Sequence, residues 1–334
     1  MITAIERADP VVGWYCPTTF WPAFNRIQAA RLVCLPDAVS AEFPGEFGAM
    51  LPSQVPILAA MTETMAGVQH VVTYSQHVRD AVASGVFGID PSQVTVIRHA
   101  PNDLSSHLVV TSFDNNDRAT RSLAEGLIQS ALARKTGRTS LVPRRTMEFS
   151  FIFYASQFRP SKNVVSLLRA YEYLLRQKYI GHKLVLTGHG DDPVVSAFMR
   201  EHRLEQEVLC LHGVSDAELA ALYSGAILAV NPSLSEGGMP FTFTEALSVG
   251  TPVVMGDIPV TSEVLTDPAL REMTLFDPYD WRSMAEKIQW ALENRVPLLE
   301  RQRRYYQDVL AKRTWSDVVR EHLDLLDDIA RRRQ

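Results

Sequence analysis

Short β-branched apolar runs alternate along this chain with longer stretches whose apolar residues recur at helical spacing. The runs that read as strands are Val11–Tyr15, Arg31–Leu35, Val71–Tyr74, Val94–Arg98, Phe149–Ala155, Lys183–Thr187, Val208–His212, Ile227–Asn231 and Thr251–Met255. They are continuous rather than alternating, as strands of a parallel sheet covered on both faces are. Between two of them, residues 164–177 (VVSLLRAYEYLLRQ) place Val164, Leu167, Leu168, Tyr171 and Leu175 on one helical face. Strands and helices in alternation predict a doubly wound α/β architecture.

Length divides this pattern in two. A chain of 334 residues predicts two domains. The break falls within residues 105–147, giving an N-terminal unit over 1–147 and a C-terminal unit over 148–334. The break region holds a polar stretch (SFDNNDRATRS), a helix over Leu123–Arg134 and a basic loop, RKTGRTSLVPRR. The loop is either a solvated face or a peripheral contact for anionic lipid or phosphate. Trp315–Arg332 reads as a closing helix with a basic C-terminal end suited to its dipole.

Composition narrows the function classes. With 46% hydrophobic and 21% charged residues and a net charge of −5, the chain reads as globular, and nucleic acid is not an expected partner. Cys16, Cys34 and Cys210 are far apart with no C-x-x-C pair, so neither a disulfide framework nor a zinc knuckle is expected. No apolar run reaches the ~20 residues of a membrane span. The first residues carry Glu6, Arg7 and Asp9, unlike a signal peptide. The expected location is the cytoplasm.

The chemistry concentrates in three loops, each following a strand. There is no GxSxG, HExxH, P-loop or GxGxxG signature, and the histidines show no metal-ligand spacing, so no metal site is expected. In NPSLSEGGMPFTFTEALSVGTPVVM, residues 231–255, a strand delivers Ser233–Pro240 to its carboxyl end, where open α/β sheets bind ligands. Gly237 and Gly238 let backbone amides approach a ligand, and the helix starting near Phe241 offers its N–H groups to a diphosphate. Glu236 and Glu245 flank the loop; a carboxylate accepts two hydroxyls at once, as a ribose diol or a hexose presents them. Otherwise the two are a helix-start charge and a surface residue. In YASQFRPSKN, residues 154–163, Arg159 and Lys162 supply the positive charge a diphosphate leaving group needs. TGHG, residues 187–190, is either a close backbone approach or a plain tight turn.

These residues carry a resemblance. YASQFRPSKN, LVLTGHG, HGVSDAELAALYSGA, NPSLSEGGMPFTFTEA and SVGTPVV, in this order, resemble the nucleotide-sugar-binding C-terminal domain of glycosyltransferase family 4. The resemblance covers roughly residues 150–330. It implies the GT-B fold, two Rossmann-like domains facing a cleft, with TWSDVVREHLDLL as the closing helix. RLVCLPDAVSAEFPGEF and HVVTYSQHVRDAVASGVFGIDPSQVTVIRHAPN look like the later half of the family's N-terminal domain, whose earlier half has no counterpart, so that domain reads as truncated. The chain departs from the family pattern at two points. Eight residues instead of seven separate Glu236 from Glu245, and Pro36 stands where many members have a His before the Asp, here Asp37.

The resemblance implies roles residue by residue. Arg159 and Lys162 bind the donor diphosphate; Glu236 meets the transferred sugar beside Gly237, Gly238 and Met239. Glu245 holds the ribose diol, Gly188 lines the nucleotide pocket and Val214 meets the base through its backbone. Asp37 takes part in acceptor binding or caps the following turn; Ser75 faces the cleft or caps a helix. The implied reaction moves a hexose of mannose or glucose type, with retention, from a GDP- or UDP-sugar to a saccharide or lipid-linked saccharide acceptor in surface polysaccharide or glycolipid synthesis. No cofactor beyond the donor is called for. Two other classes stay open: an epimerase or phosphorylase of the same fold, and a non-catalytic GT-B domain that binds a nucleotide sugar or scaffolds a complex.

Overall fold

The computed structural model describes residues 11–45, 55–111, 116–136 and 149–332, and two parallel sheets organise them. The first sheet runs in sequence order: β1 (Gly13–Cys16), β2 (Ala30–Leu35), β3 (Val71–Thr73) and β4 (Val94–Val96). The second comprises β5 (Phe151–Tyr154), β6 (Lys183–Leu186), β7 (Val208–Cys210), β8 (Leu228–Asn231), β9 (Val253–Gly256) and β10 (Leu275–Phe276). Its spatial order is β10-β9-β8-β5-β6-β7. Each apolar run expected as a strand contributes one. β10 was not expected, because two residues are too short to display a period.

The continuous apolar strands are explained by cover on both sides. In β5, Phe151 and Phe153 pack into one core cluster, Ile152 and Tyr154 into another. The first face is covered by the helices Asp216–Gly225 and Phe241–Ser248, the second by Val164–Gln177 and Trp281–Glu293. The Val164–Gln177 helix buries Val164, Leu167, Leu168, Tyr171 and Leu174, each stabilising by roughly 1.5–3 kcal/mol. Leu175, expected on that face, is half-buried at its edge.

Two helices tie the halves together. Asn116–Thr136, longer than the expected Leu123–Arg134, lays Ala124, Ile128 and Ala131 into the core of the second sheet. Arg134 at its end makes a bidentate pair with Glu218 at 2.5 and 2.7 Å. The region read from sequence as part of the first unit therefore contributes a layer to the second sheet. Most of the basic loop lies outside the described residues. Trp315–Arg331 starts at a capping box, in which Thr314 Oγ1 accepts from Asp317 N, and crosses back to pack Val318 and Ile329 against Ala30, Leu32 and Cys34 of β2.

The winding of the second sheet reverses between β5 and β8, which pair side by side with Ile152 opposite Leu228 and Phe153 opposite Ala229. Loops leaving two such strands at their carboxyl ends diverge and open a crevice. The Arg159–Lys162 loop leaves β5 and the Glu236–Gly238 loop leaves β8, so topology alone sets them face to face.

Candidate active site

Lys162 and Glu236, 74 positions apart, meet at the reversal: Lys162 Nζ donates to Glu236 Oε1 at 2.6 Å. Both side chains keep about a fifth of their exposure, 22% and 20%. The backbone aims Lys162 there through a single turn, Pro160–Lys162, closed by Asn163 in the left-handed region at φ 55°. Asn163 holds that conformation by donating from Nδ2 to the carbonyls of Pro232 (3.1 Å) and Pro278 (2.7 Å). The β8 loop is fastened to the same turn by Leu234 N donating to Ser161 O at 2.8 Å. Arg159 is exposed beside them, its guanidinium on Gln157 Oε1 at 3.1 Å.

Asp37 joins this cluster from the first half. Its Oδ1 accepts from Val39 N at 3.1 Å, so it caps the turn after β2. Burial raises its carboxyl above the ordinary range; Lys162 and Arg159 work against that rise and Glu236 adds to it. Of the two roles weighed from sequence, acceptor binding or capping of the following turn, the hydrogen bond to Val39 N is the capping one. Ser75 is buried and accepts from Val78 N at 3.2 Å, the helix-capping role.

The glycines meet protein. A Cβ on Gly237 would stand 1.7 Å from the Pro36 carbonyl oxygen, and one on Gly238 would stand 3.0 Å from His99 Nε2. The Gly-Gly turn is thus where the second half touches the first, and only bare backbone fits. His99 sits beneath it among Tyr74, Phe241 and Trp315. Burial lowers the His99 pKa, which favours the neutral ring. Met239, next along, is buried in the core of the second sheet.

Glu245 lies farther along the Phe241–Ser248 helix and is only 8% exposed. Asn102 Nδ2 donates to its Oε1 at 2.6 Å, and burial raises its carboxyl above the ordinary range against that hydrogen bond. Gly188, after β6, lies under the Phe158 ring, 2.2 Å from where a Cβ would be. Val214, after β7, is half-buried against the core. His189 stacks on His212, ring centroids 3.3 Å apart. Asp192 caps the Pro193–Glu201 helix, its Oδ1 accepting from Val194 N and Val195 N.

The structure therefore gathers Asp37, Arg159, Lys162, Glu236, Gly237 and Gly238 at one point of the cleft, and places Glu245 with a partner that motif reading did not single out. Of these, Asp37 and Arg159 line a cavity of about 740 Å³ between the halves, together with Pro36, Phe158 and Asn163. Asn102 and His99 were not singled out from sequence because their contacts with Glu245 and Gly238 span more than a hundred positions. Among the described residues no helix is long and apolar enough to cross a membrane, and no cluster of three His, Cys, Asp or Glu is placed to hold a metal ion.

Comparison with known proteins bears on the family and the fold. The model of the family described as glycosyl transferases group 1 matches residues 142–309. RfbU, an O-antigen chain mannosyltransferase of Salmonella typhimurium, is 26% identical over 223 residues, 66% of this chain and 51% of that protein. O-antigen chain mannosyltransferase B of Escherichia coli is 31% identical over 147 residues, 43% of this chain and 37% of that protein. The matched stretches thus span about half, or less, of those relatives' lengths. Anabaena HepE in complex with UDP-glucose matches with a TM-score of 0.65 at 16% identity, over 99% of this chain and 80% of that one. That likeness is one of fold, the GT-B arrangement of two Rossmann-like units about a cleft.

Proposed function

The chain belongs to the group 1 glycosyl transferases, and we propose that it transfers a hexose, of mannose or glucose type, from a nucleotide diphosphate sugar to a hydroxyl acceptor. The observation that carries this reading is the Lys162–Glu236 pair at the β5/β8 reversal, with Arg159 exposed beside it. A cation held by a carboxylate can be handed to a diphosphate at little cost, because one anionic partner replaces another. Glu236 is then released to accept from the hydroxyls of the transferred sugar.

In the proposed reaction the bond between the anomeric carbon and the diphosphate oxygen breaks, and its electron pair leaves with the phosphate. The acceptor oxygen bonds to the anomeric carbon on the same face, so configuration is retained, and its proton passes to the departing phosphate oxygen. Lys162, Arg159 and the amides of Gly237 and Gly238 stabilise the charge that grows on the diphosphate. Glu245 holds the ribose diol, Gly188 and Val214 border the nucleoside, and Asp37 faces the acceptor. Two relatives are O-antigen chain mannosyltransferases, which supports mannose as the transferred hexose; GDP-mannose is the donor of this reading, and a saccharide or lipid-linked saccharide at the cytoplasmic side of a membrane its acceptor.

The test is calorimetric titration of the purified chain with GDP-mannose, UDP-glucose, UDP-N-acetylglucosamine and the free diphosphates, followed by a transfer assay with the donor that binds. Saturable binding of one donor, lost in Glu245→Ala, together with turnover, is expected. Folded protein that binds none of them overturns the reading. Binding without transfer or hydrolysis instead supports a non-catalytic nucleotide-sugar domain.

A further inference from the structure

Glu245 is a buried carboxylate, and a diol-binding role asks that it be ionised and correctly aimed. Burial works against ionisation. The groups that face it are the Asn102 amide, the Tyr223 phenol and, farther off, the Asp216 carboxylate, whose charge also opposes ionisation. Asn102 is the one that donates at hydrogen-bonding distance, 2.6 Å. It does not belong to the same half: it lies in the segment following β4, 143 positions earlier.

That segment is itself anchored along the Phe241–Ser248 helix. Asn102 N donates to Thr244 Oγ1 at 3.1 Å, and Leu104 N donates to Ser248 Oγ at 3.0 Å. Two backbone bonds to one helix therefore fix the Asn102 side chain in line with Glu245. The amide occupies one lone pair of Oε1 and the Tyr223 phenol also faces the carboxylate, which leaves lone pairs among its four for a pair of vicinal hydroxyls.

We propose that Asn102 is the positioning residue of the donor site: it orients Glu245 for the ribose diol and makes nucleoside recognition depend on the seating of the first half against the second. This rests on the reading of Glu245 given above. Removing the amide leaves a buried carboxylate without its charge-assisted donor, which swings or takes up a proton. The contribution of the diol to binding then falls by about tenfold to a hundredfold. The diphosphate contacts of Lys162 and Arg159 do not involve Asn102, so their contribution stays.

The experiment compares the diphosphate of the preferred nucleoside with its 2′,3′-dideoxy analogue, by calorimetry, on wild type, Asn102→Leu, Asn102→Gln and Glu245→Gln, each checked for folding by thermal melting. Wild type should prefer the ribonucleotide. Asn102→Leu should lose most of that preference while keeping the dideoxy affinity, as Glu245→Gln does, and Asn102→Gln should recover part of it. For Asn102→Leu the preference should also fall further as pH decreases from 8 to 5.5. An Asn102→Leu protein that keeps the full preference overturns the proposal. So does one that weakens both ligands equally, which marks Asn102 as merely structural; if that variant does not fold, Asn102→Gln decides by the same comparison. Wild type that binds neither nucleotide refutes the donor-site reading itself, and wild type that binds both equally refutes the role of Glu245.

Discussion

Replacing Lys162 with Met separates catalysis from stability, because its ion pair is partly exposed while its proposed target is a transient charge. With both side chains about a fifth exposed, the pair contributes little to folding. A partly exposed ion pair is worth about 0–1 kcal/mol, and Met keeps the packing of the stem. The catalytic term is larger. Removing one preorganised donor from a developing oxyanion costs about 2.7–4 kcal/mol, or roughly a hundredfold to a thousandfold in kcat. A Coulomb estimate agrees: unit charges about 4 Å apart at an effective dielectric near 20 interact by about 4 kcal/mol. The assay is turnover of the identified donor and acceptor, with thermal melts on the same preparations. We expect kcat to fall by at least a hundredfold with a melting shift of a few degrees at most. Lys162→Arg should recover part of the rate, since it restores the charge with different geometry. Near-wild-type kcat in Lys162→Met would falsify the electrostatic assignment, and a large melting shift would mean that the loss reports unfolding.

Three further predictions follow from contacts already described. Gly237→Ala places a methyl carbon 1.7 Å from the Pro36 carbonyl oxygen, so it should abolish transfer by prising the halves apart; unchanged kcat refutes the close approach. Gly188→Ala collides with the Phe158 ring and should destabilise by about 1–3 kcal/mol, and Phe158→Ala in the same chain should relieve the collision in a double-mutant cycle read by denaturant melts. Arg134 lowers the Glu218 carboxyl from its ordinary 4.5 to about 2. A depressed folded-state pKa adds stability that is complete above 4.5 and is lost as pH falls towards 2. Arg134→Leu should therefore flatten the acid limb of the stability curve in that window, and an unchanged limb counts against the pairing.

How far the sequence could be read depended on the range of the contact. The strands were legible because burial on both faces forces continuous apolar runs, which Phe151–Tyr154 displays residue by residue. Caps were legible because they close over two or three positions, as in Asp37 to Val39 and Ser75 to Val78. The packing of Asn116–Thr136 was not, since a mostly polar helix gives no sign of which core its few buried residues enter. Asn102 was invisible for the same reason: an Asn after a strand reads as a turn residue until the helix it lies along is known.

Gly237 shows the limit from the other side. Bare backbone was expected at this turn for close approach to a ligand; what the structure places there is protein. Pro36 O occupies the space a side chain would need, so the glycine serves first to let the first half reach the β8 loop. That contact brings Asp37 beside Lys162 and Glu236. The same seating of the halves carries the Asn102–Glu245 bond farther along the helix. In the proposed enzyme the acceptor-side acid and the diol-holding carboxylate are thus both set by one interface. Loosening it at Gly237 should consequently weaken nucleoside recognition as well as transfer, although Gly237 touches neither Asn102 nor Glu245. Measuring the ribose preference of Gly237→Ala beside its kcat tests that linkage, and a full preference with no turnover would show that the two effects are separate.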